Sequence, residues 1–499
     1  MNVKAVAWIL GSVLLIVAAS LLVPAMVGVG YGEMQEAAAC LWSAGVVAAC
    51  GGTLVFLFRG SMVKDGRLAY HRREGMAAVG LSWIAAGLAG ALPFLFSHAI
   101  RSPVDAIFES VSGFTTTGST ILSGAEIDGL SDTMAFWRSF THWLGGVGIV
   151  MVFVLVLPTG ARSLYRAEVT GFDREADSAR VSDSAKHLFV VYSVLTLACF
   201  GALWALGVGP LDATIHTFGT VATGGFSNHG ASVAHFRSWP VEAVIVVFMY
   251  LSGVSFGLYR SAYGKPMRAW IPTLLDSSEF RAYLGIAVSS ILAVAFVLWR
   301  TARLGGSALP EYESFLLALR DSSFSVATMQ TCSGFATADF DRWPDFCRVV
   351  LLLLAFVGGC AGSTAGGLKV VRLLILLKLV RQQVRRVVQP RSVHVIRLDG
   401  VSIDPAVASR VGSYFGLWCL FATVSTLFVA CFGIDLVSAS TSVLATLNNA
   451  GPGLGLVGPA SNFGSFPMPV KLSLTVCMLA GRLEFYAILS LLMPTFWRL

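Results

Sequence analysis

The chain has 499 residues, of which 56% are apolar and 13% charged, with a mean hydropathy of +0.74 and a net charge of +7. Soluble domains carry about 25% charged residues, so this composition excludes an ordinary soluble protein. The basic excess does not point to nucleic acid, because Lys and Arg sit in short connections between apolar runs, where they set membrane topology. The nine cysteines form no CxxC pair and lie mostly inside apolar stretches (Cys40, Cys50, Cys199, Cys419, Cys431, Cys477), so they read as small buried hydrophobes.

Ten stretches are long enough to span: 5–27, 38–58, 76–97, 133–158, 187–208, 239–259, 280–300, 346–380, 409–432 and 470–493. Each approaches or exceeds the roughly 20 apolar residues that cross a bilayer core. The first is too long for a signal peptide and is followed by a second span, so it reads as a retained helix. Alternate connections are rich in Lys and Arg: Arg59 to Arg73, Arg162 to Lys186, Arg260 to Arg281, and nine basic residues from Lys369 to Arg410. These face the cytoplasm, and an even number of spans then predicts that both termini are cytoplasmic.

The outward connections hold semi-apolar segments too short to span, at 105–118, 212–225, 321–334 and 438–451. They align as DAIFESVSGFTTTG, DATIHTFGTVATGG, DSSFSVATMQTCSG and SASTSVLATLNNAG. Asp105, Asp212, Asp321 or Ser438 opens each copy and predicts a helix N-cap. Gly118, Gly225, Gly334 or Gly451 closes it, where positive φ or close backbone approach is needed. A short helix entering from outside aims its partly negative C-terminal end at the membrane centre, which favours a cation. The extended residues after it cannot pair their carbonyls in lipid, so they must line a wet cavity. One such loop is compatible with an ordinary Gly-Thr turn; four in register predict a ring of carbonyls that replaces a hydration shell. The fold class expected is an all-α polytopic membrane protein, with four helix–pore loop–helix repeats around a central ion pore and an extra N-terminal helix pair.

The motifs FESVSGFTTTGST (108–120), TVATGGFSNH (220–229), TCSGFATADF (331–340), NNAGPGLG (448–455), GGCAGSTAGGLK (358–369) and AGRLEF (480–485) resemble the potassium-translocating subunits of the Trk/Ktr/HKT superfamily, most of all its TrkH branch. The resemblance runs from about residue 70 to the C-terminus, and the first two spans are similar to that branch's extra helix pair. It implies a helix pair at 1–70 and pore repeats at 71–165, 180–262, 278–390 and 405–499. It implies potassium uptake across a bacterial inner membrane, with the ion held at Thr116, Thr117 and Gly118; Ala222, Thr223, Gly224 and Gly225; Thr331, Cys332, Ser333 and Gly334; and Asn448, Asn449, Ala450 and Gly451. It implies a homodimer with a pore in each protomer and a cytoplasmic, nucleotide-binding TrkA-like subunit on the basic inner face. Potassium is the transported ion, no covalent cofactor is expected, and any nucleotide belongs to the partner. The third loop departs from the family pattern at Cys332 and Ser333, which weakens a hydroxyl contribution there. The polar pair Ser322 and Ser323 in the same copy is a second departure.

Residues 358–367 hold five glycines. Gly358, Gly362 and Gly366 are four apart, the spacing of close helix packing. The competing reading is a broken helix lining a cavity, since glycine weakens a helix and Ser363 and Thr364 add to the weakness. The resemblance implies the second: a gate at Gly362, Ser363, Thr364, Ala365 and Gly366. Arg482 lies inside the last span, where a charge marks an ion pathway or a partner such as Glu484. The resemblance implies that it faces the pore beneath the filter and contacts the gating loop. Lys369 reads as a topology anchor and His142 as core. Glu109 reads as a pore-helix acid buried by a partner, and Asp339 either as a cation-concentrating acid at the mouth or as a solvated loop acid.

An intramembrane enzyme would need converging nucleophile, base or metal ligands; the eight histidines are scattered and no HExxH occurs. A proton- or sodium-coupled carrier stays open as a second reading, although few acids lie mid-span. With one glycine per loop, discrimination against sodium is expected to be modest and rubidium to be permeant.

Overall fold

The computed structural model describes residues 2–59, 63–64, 67–68, 72–148, 178–263, 265–304, 309–389, 395–483 and 485–498. Among these the regular elements are helices apart from two antiparallel two-residue hairpins, Val63–Lys64 with Arg67–Leu68 and Arg397–Leu398 with Val401–Ser402.

Among the described residues six helices are long and apolar enough to cross a membrane: Val3–Tyr31, Met34–Phe58, Arg73–Phe96, Lys186–Ala205, Ser278–Arg303 and Pro405–Ala430. They are the N-terminal pair and the outer helix of each of four units. Their apolar side chains, such as Trp42, Phe56, Leu197, Trp204, Leu292 and Leu427, stand exposed, as lipid-facing residues must.

The inner helix of each unit is interrupted, which corrects three of the ten expected spans; in the fourth, 346–380, the break falls at the glycine cluster where a broken helix was one of the two readings. Asp132–Val147 stops at Gly148 (φ 79°); residues 149–158 of that expected span, and most of the basic connection after it, lie outside the described residues. Trp239–Gly253 turns through 87° into Phe256–Ala262. Asp345–Val357 stops at Gly358 (φ 73°), and the chain is non-helical until Val370–Val388. Met468–Arg482 gives way, past Phe485 (φ 61°), to Tyr486–Leu492. Hydropathy reports depth in the membrane and not helical continuity, so the breaks at Gly148, Gly253 and Leu483 were hidden inside apolar runs.

Between outer and inner helix each unit inserts a short helix: Pro103–Phe114, Pro210–Val221, Phe315–Gln330 and Leu436–Leu447. Proline at the first position of the first two costs no hydrogen bond there. The units close in a ring through their cores. Phe324, Ala327 and Phe335 of the third unit join the second unit's core, and Ala450 and Leu454 of the fourth join the third unit's. Val429, Ala439, Val443 and Val470 of the fourth join the core of the first unit and the N-terminal pair.

The N-terminal pair covers the first unit. Along its apolar stretch the outer helix Arg73–Phe96 is 61% buried, against 22, 28 and 17% for the other three outer helices. The two N-terminal helices cross at glycines: a Cβ on Gly11 would lie 2.7 Å from the Gly51 carbonyl oxygen, and one on Gly51 2.8 Å from that of Gly11. Gly11→Val or Gly51→Val is expected to lower stability by about 1–3 kcal/mol through overpacking. Gly45→Ala and Gly52→Ala, which meet open space, should leave melting in detergent unchanged. Equal melting of all four variants would contradict the crossing.

Candidate ion filter and gate

The four pore helices end in one geometry. After the caps Thr115, Ala222, Thr331 and Asn448 the chain enters the left-handed region at Thr116, Thr223, Cys332 and Asn449, with φ of 52, 53, 55 and 52°. The N–H of each of these donates to the carbonyl three residues back, at 3.0–3.3 Å. The next N–H (Thr117, Gly224, Ser333, Ala450) donates five back, to Ser112, Gly219, Thr328 and Ala445, at 2.8–2.9 Å. This is the Schellman ending of a helix, made here without glycine at the left-handed position. A left-handed non-glycine residue costs on the order of 1–3 kcal/mol, and such strain collects at functional sites. Gly118, Gly225, Gly334 and Gly451 follow, again at positive φ, 80, 78, 79 and 87°.

Two sequence expectations are corrected here. The left-handed helix ending lies two residues before each glycine, not on it. The caps at the other end are Ser102, Gly209, Ser314 and Asp435. Asp105, Asp212 and Ser438 sit inside the first turn, and Asp321 falls well inside its helix. The acids in the first turn still complement the dipole. Asp212 Oδ1 accepts from Asn228 Nδ2 (2.6 Å), and its Oδ2 lies 3.3 Å from His229 Nε2.

The four loops close on one another in chain order. A Cβ on Gly118 would lie 2.0 Å from the Gly224 carbonyl oxygen, and one on Gly225 1.9 Å from that of Ser333. On Gly334 it would lie 3.2 Å from the Ala450 oxygen, and on Gly451 3.1 Å from that of Thr117. Each glycine thus abuts the carbonyl that precedes the glycine of the next loop, and the fourth meets the first. Hydroxyls hold the ring from behind: Thr115 and Thr117 pair at 2.7 Å, Thr331 and Ser333 at 2.8 Å. Ser333 therefore takes the place of Thr117, and the hydroxyl pair expected to weaken in the third loop is kept. Cys332, at the left-handed position, is buried with Sγ 3.6 Å from the Ala355 carbonyl. The Ser322 and Ser323 hydroxyls turn back on the Leu319 carbonyl. Asn449 Nδ2 donates to Thr117 Oγ1 (2.8 Å) and to the Met478 carbonyl (3.0 Å), tying fourth unit to first. Asn448 Oδ1 accepts from Trp418 Nε1 (3.1 Å).

Residues 358–369 form a loop, not a packed helix, which sets aside the small-residue reading of Gly358, Gly362 and Gly366. Gly358, Gly362 and Gly367 have positive φ. The loop lies against the C-terminal ends of two pore helices. Gly367 N–H donates to the Asn448 carbonyl (3.0 Å), and Thr364 Oγ1 is 3.1 Å from the Val221 carbonyl and 3.2 Å from that of Ser252. A Cβ on Gly366 would lie 2.0 Å from the Asn448 oxygen. Arg482, at the end of its helix, donates to the Thr364 carbonyl (3.1 Å) and to the Gly145 carbonyl of the first unit (2.9 Å). Glu484 lies outside the described residues. Lys369 is more than a topology anchor: it sits at φ 80° and its ammonium turns back to the Ala365 carbonyl.

Some site residues were missed in the sequence. Glu279 Oε1 accepts from Ala361 N–H (2.7 Å) and Val371 N–H (3.3 Å), gripping the loop at both ends. Its signal was an acid at the first turn of an apolar helix, which reads as simple capping. Glu109 pairs with Arg138, an opposite charge also buried in an apolar helix. His142 is core as expected, stacked on Phe226 at 4.1 Å with Nδ1 on the Gly113 carbonyl. Asp339 caps a short 3-10 turn by accepting from Asp341 N–H.

Gly118→Ala and Gly225→Ala, whose Cβ would overlap a backbone carbonyl, are expected to lose monodisperse folded protein in gel filtration. Gly334→Ala and Gly451→Ala, whose Cβ would lie 3.2 and 3.1 Å from the nearest carbonyl oxygen so that the neighbour need shift only slightly, should stay folded at a stability loss of about 1–3 kcal/mol for the left-handed alanine. The reverse order would contradict the ring.

The sequence profile described as "TrkH: Cation transport protein" matches residues 51–496. The potassium uptake protein TrkH of Escherichia coli strain K12 is 40% identical over 432 residues, 85% of this chain and 86% of the relative. TrkH of Halomonas elongata is 34% identical over 507 residues and the whole of both chains. The crystal structure of the potassium transporter TrkH from Vibrio parahaemolyticus superposes with a TM-score of 0.87 at 35% identity, covering both chains completely. Its full-length match includes the N-terminal helix pair. These relatives are named as transport proteins of a Trk system and not as enzymes. With its apolar spanning helices, the chain is a multi-pass membrane transport protein, and it belongs to the TrkH family of cation transporters.

Proposed function

We propose that this chain takes up potassium across the bacterial inner membrane through a gated pore, with the filter at Gly118, Gly225, Gly334, Gly451 and the three residues before each. The observation that carries this reading is the closure of four strained, backbone-lined loops into one ring in chain order. Carbonyl oxygens fixed by Schellman hydrogen bonds and by hydroxyl pairs replace water around a dehydrated cation at little reorganisation cost. The four helix C-termini add partial negative charge. One glycine per loop leaves a short filter, so sodium is disfavoured only modestly and rubidium passes.

The loop 358–369 is the gate. Arg482 pins it to the first unit through two carbonyls, and its fixed charge opposes a cation leaving the filter. Opening requires the loop and Arg482 to move together. The basic connections support a cytoplasmic position for both termini. There the Lys369–Arg410 segment offers a docking face for a nucleotide-binding regulatory subunit, consistent with a multi-component Trk system. The pore protein forms a homodimer, carries no covalent cofactor, and leaves any nucleotide to the partner. A coupled carrier would need an exchangeable intramembrane carboxylate; Glu109, the acid buried beside the filter, already has each oxygen engaged.

Purified protein in liposomes is expected to pass potassium and rubidium faster than sodium; equal sodium and potassium flux would contradict the filter. Arg482→Ala, or removal of 362–366, should raise flux without a partner by about tenfold or more, since each charged hydrogen bond lost is worth about 1.5–3 kcal/mol. Unaltered basal flux in both variants would refute the gate.

A further inference from the structure

The four repeats are not equally braced behind the ring. The pore-helix position four residues after Asp105, Asp212, Asp321 and Ser438 holds Glu109, His216, Ser325 and Ser442. The position two after each filter glycine holds Thr120, Ser227, Ala336 and Gly453. In the first repeat these positions meet: Glu109 Oε1 accepts from Thr120 Oγ1 (2.9 Å), and Oε2 from Ile121 N–H (3.0 Å). In the second, His216 Nε2 and Ser227 Oγ lie 3.0 Å apart. Ala336 and Gly453 have no side-chain polar atom with which to complete the same brace.

Arg138 joins the two braced repeats. Its Nε donates to Glu109 Oε1 (2.6 Å), its Nη1 donates to the Ser227 carbonyl (2.8 Å), and its guanidinium lies 3.7 Å over the Phe226 ring. The side chains of Arg138 and Glu109 are 3% and 0% exposed. A pair removed this far from water gains little net stability over an apolar replacement, so such pairs are better understood as fixing a geometry. The geometry at stake is local. The first and second strands leaving the filter are held two or three residues beyond their glycines, and the junction between these two loops is tight, with Gly118 against the Gly224 carbonyl.

We propose that the Arg138–Glu109 pair is a positioning element for ion selectivity: it fixes the spacing between the first and second filter strands, and thereby how well the ring rejects sodium. The proposal rests on the filter reading above. Neither residue touches the ion; both act through Thr120, Ile121 and Ser227. Loosening the pair lets the ring contract around the smaller cation.

The test is the ratio of sodium to potassium dissociation constants, read by titration calorimetry on the purified full chain, which needs no open gate. The double variant Glu109→Gln/Arg138→Gln removes both charges and leaves neither unpaired, so it tests the pair without stranding a buried ion. Its ratio is expected to fall roughly fivefold or more while gel filtration still gives one folded species. If it does not fold, Arg138→Lys, which keeps the charge and loses the fork, is read instead and should lower the ratio in the same direction. Gly451→Ser is measured beside them. A lower ratio in Gly451→Ser with an unchanged ratio in the folded pair variant overturns the positioning role and leaves the filter standing. An unchanged ratio in both overturns the filter reading, and this proposal with it.

Discussion

A carbonyl that must face an ion cannot be spent on a neighbouring N–H, and within a bilayer an unmet carbonyl costs several kcal/mol. This constraint organises the rest of the molecule. The strands that form the ring cannot be helix or sheet, so they have to be fixed from behind by other groups. Schellman hydrogen bonds hold the start of each strand, and hydroxyl pairs hold its back in the first and third loops. Asn449 links the last loop to the first. Glycine is required where two such strands meet, because a side chain at Gly118 or Gly225 would occupy the neighbour's carbonyl. The outer helices supply the lipid-facing wall, and the four pore helices point their C-terminal ends at the ring.

The same constraint explains the broken inner helices. A break in lipid is tolerated only where its freed carbonyls find partners. At Gly145 and Thr364 the partner is Arg482. At Gly253 and Gly359 it is backbone, through Cys360 and Val370 N–H. The break after Val357 lies against two pore helices, through Gly367 N–H on the Asn448 carbonyl and the Thr364 hydroxyl on that of Val221. Glu279 holds this loop from the outer helix of its own unit, and Ser278 beside it donates to Asp399 in the Arg397–Ser402 hairpin. The loop is therefore connected by hydrogen bonds to the hairpin in the basic segment.

Much of the site was legible because backbone requirements leave residues in register. Four glycines at one spacing from four aligned segments predict four equivalent turns, and five glycines in ten residues predict a broken helix. What stayed hidden was of two kinds. The helix breaks at Gly148, Gly253 and Leu483 lie in runs as apolar as any span, and local composition does not say whether a buried carbonyl has a partner elsewhere. The ion pair of Glu109 and Arg138 joins residues 29 apart on different elements, and only the opposite signs of two charges in apolar segments hinted at it. The caps were misassigned for a related reason: an acid favours the first turn as well as the cap, so Asp105 and Asp212 matched the pattern from inside the helix.

The central claim is that the ring of Gly118, Gly225, Gly334 and Gly451 holds the transported ion. Anomalous scattering from crystals grown in rubidium tests it most directly. The account predicts a peak on the axis between these four glycines, weaker when sodium competes. An empty ring, with rubidium ordered elsewhere in the protein, would contradict it.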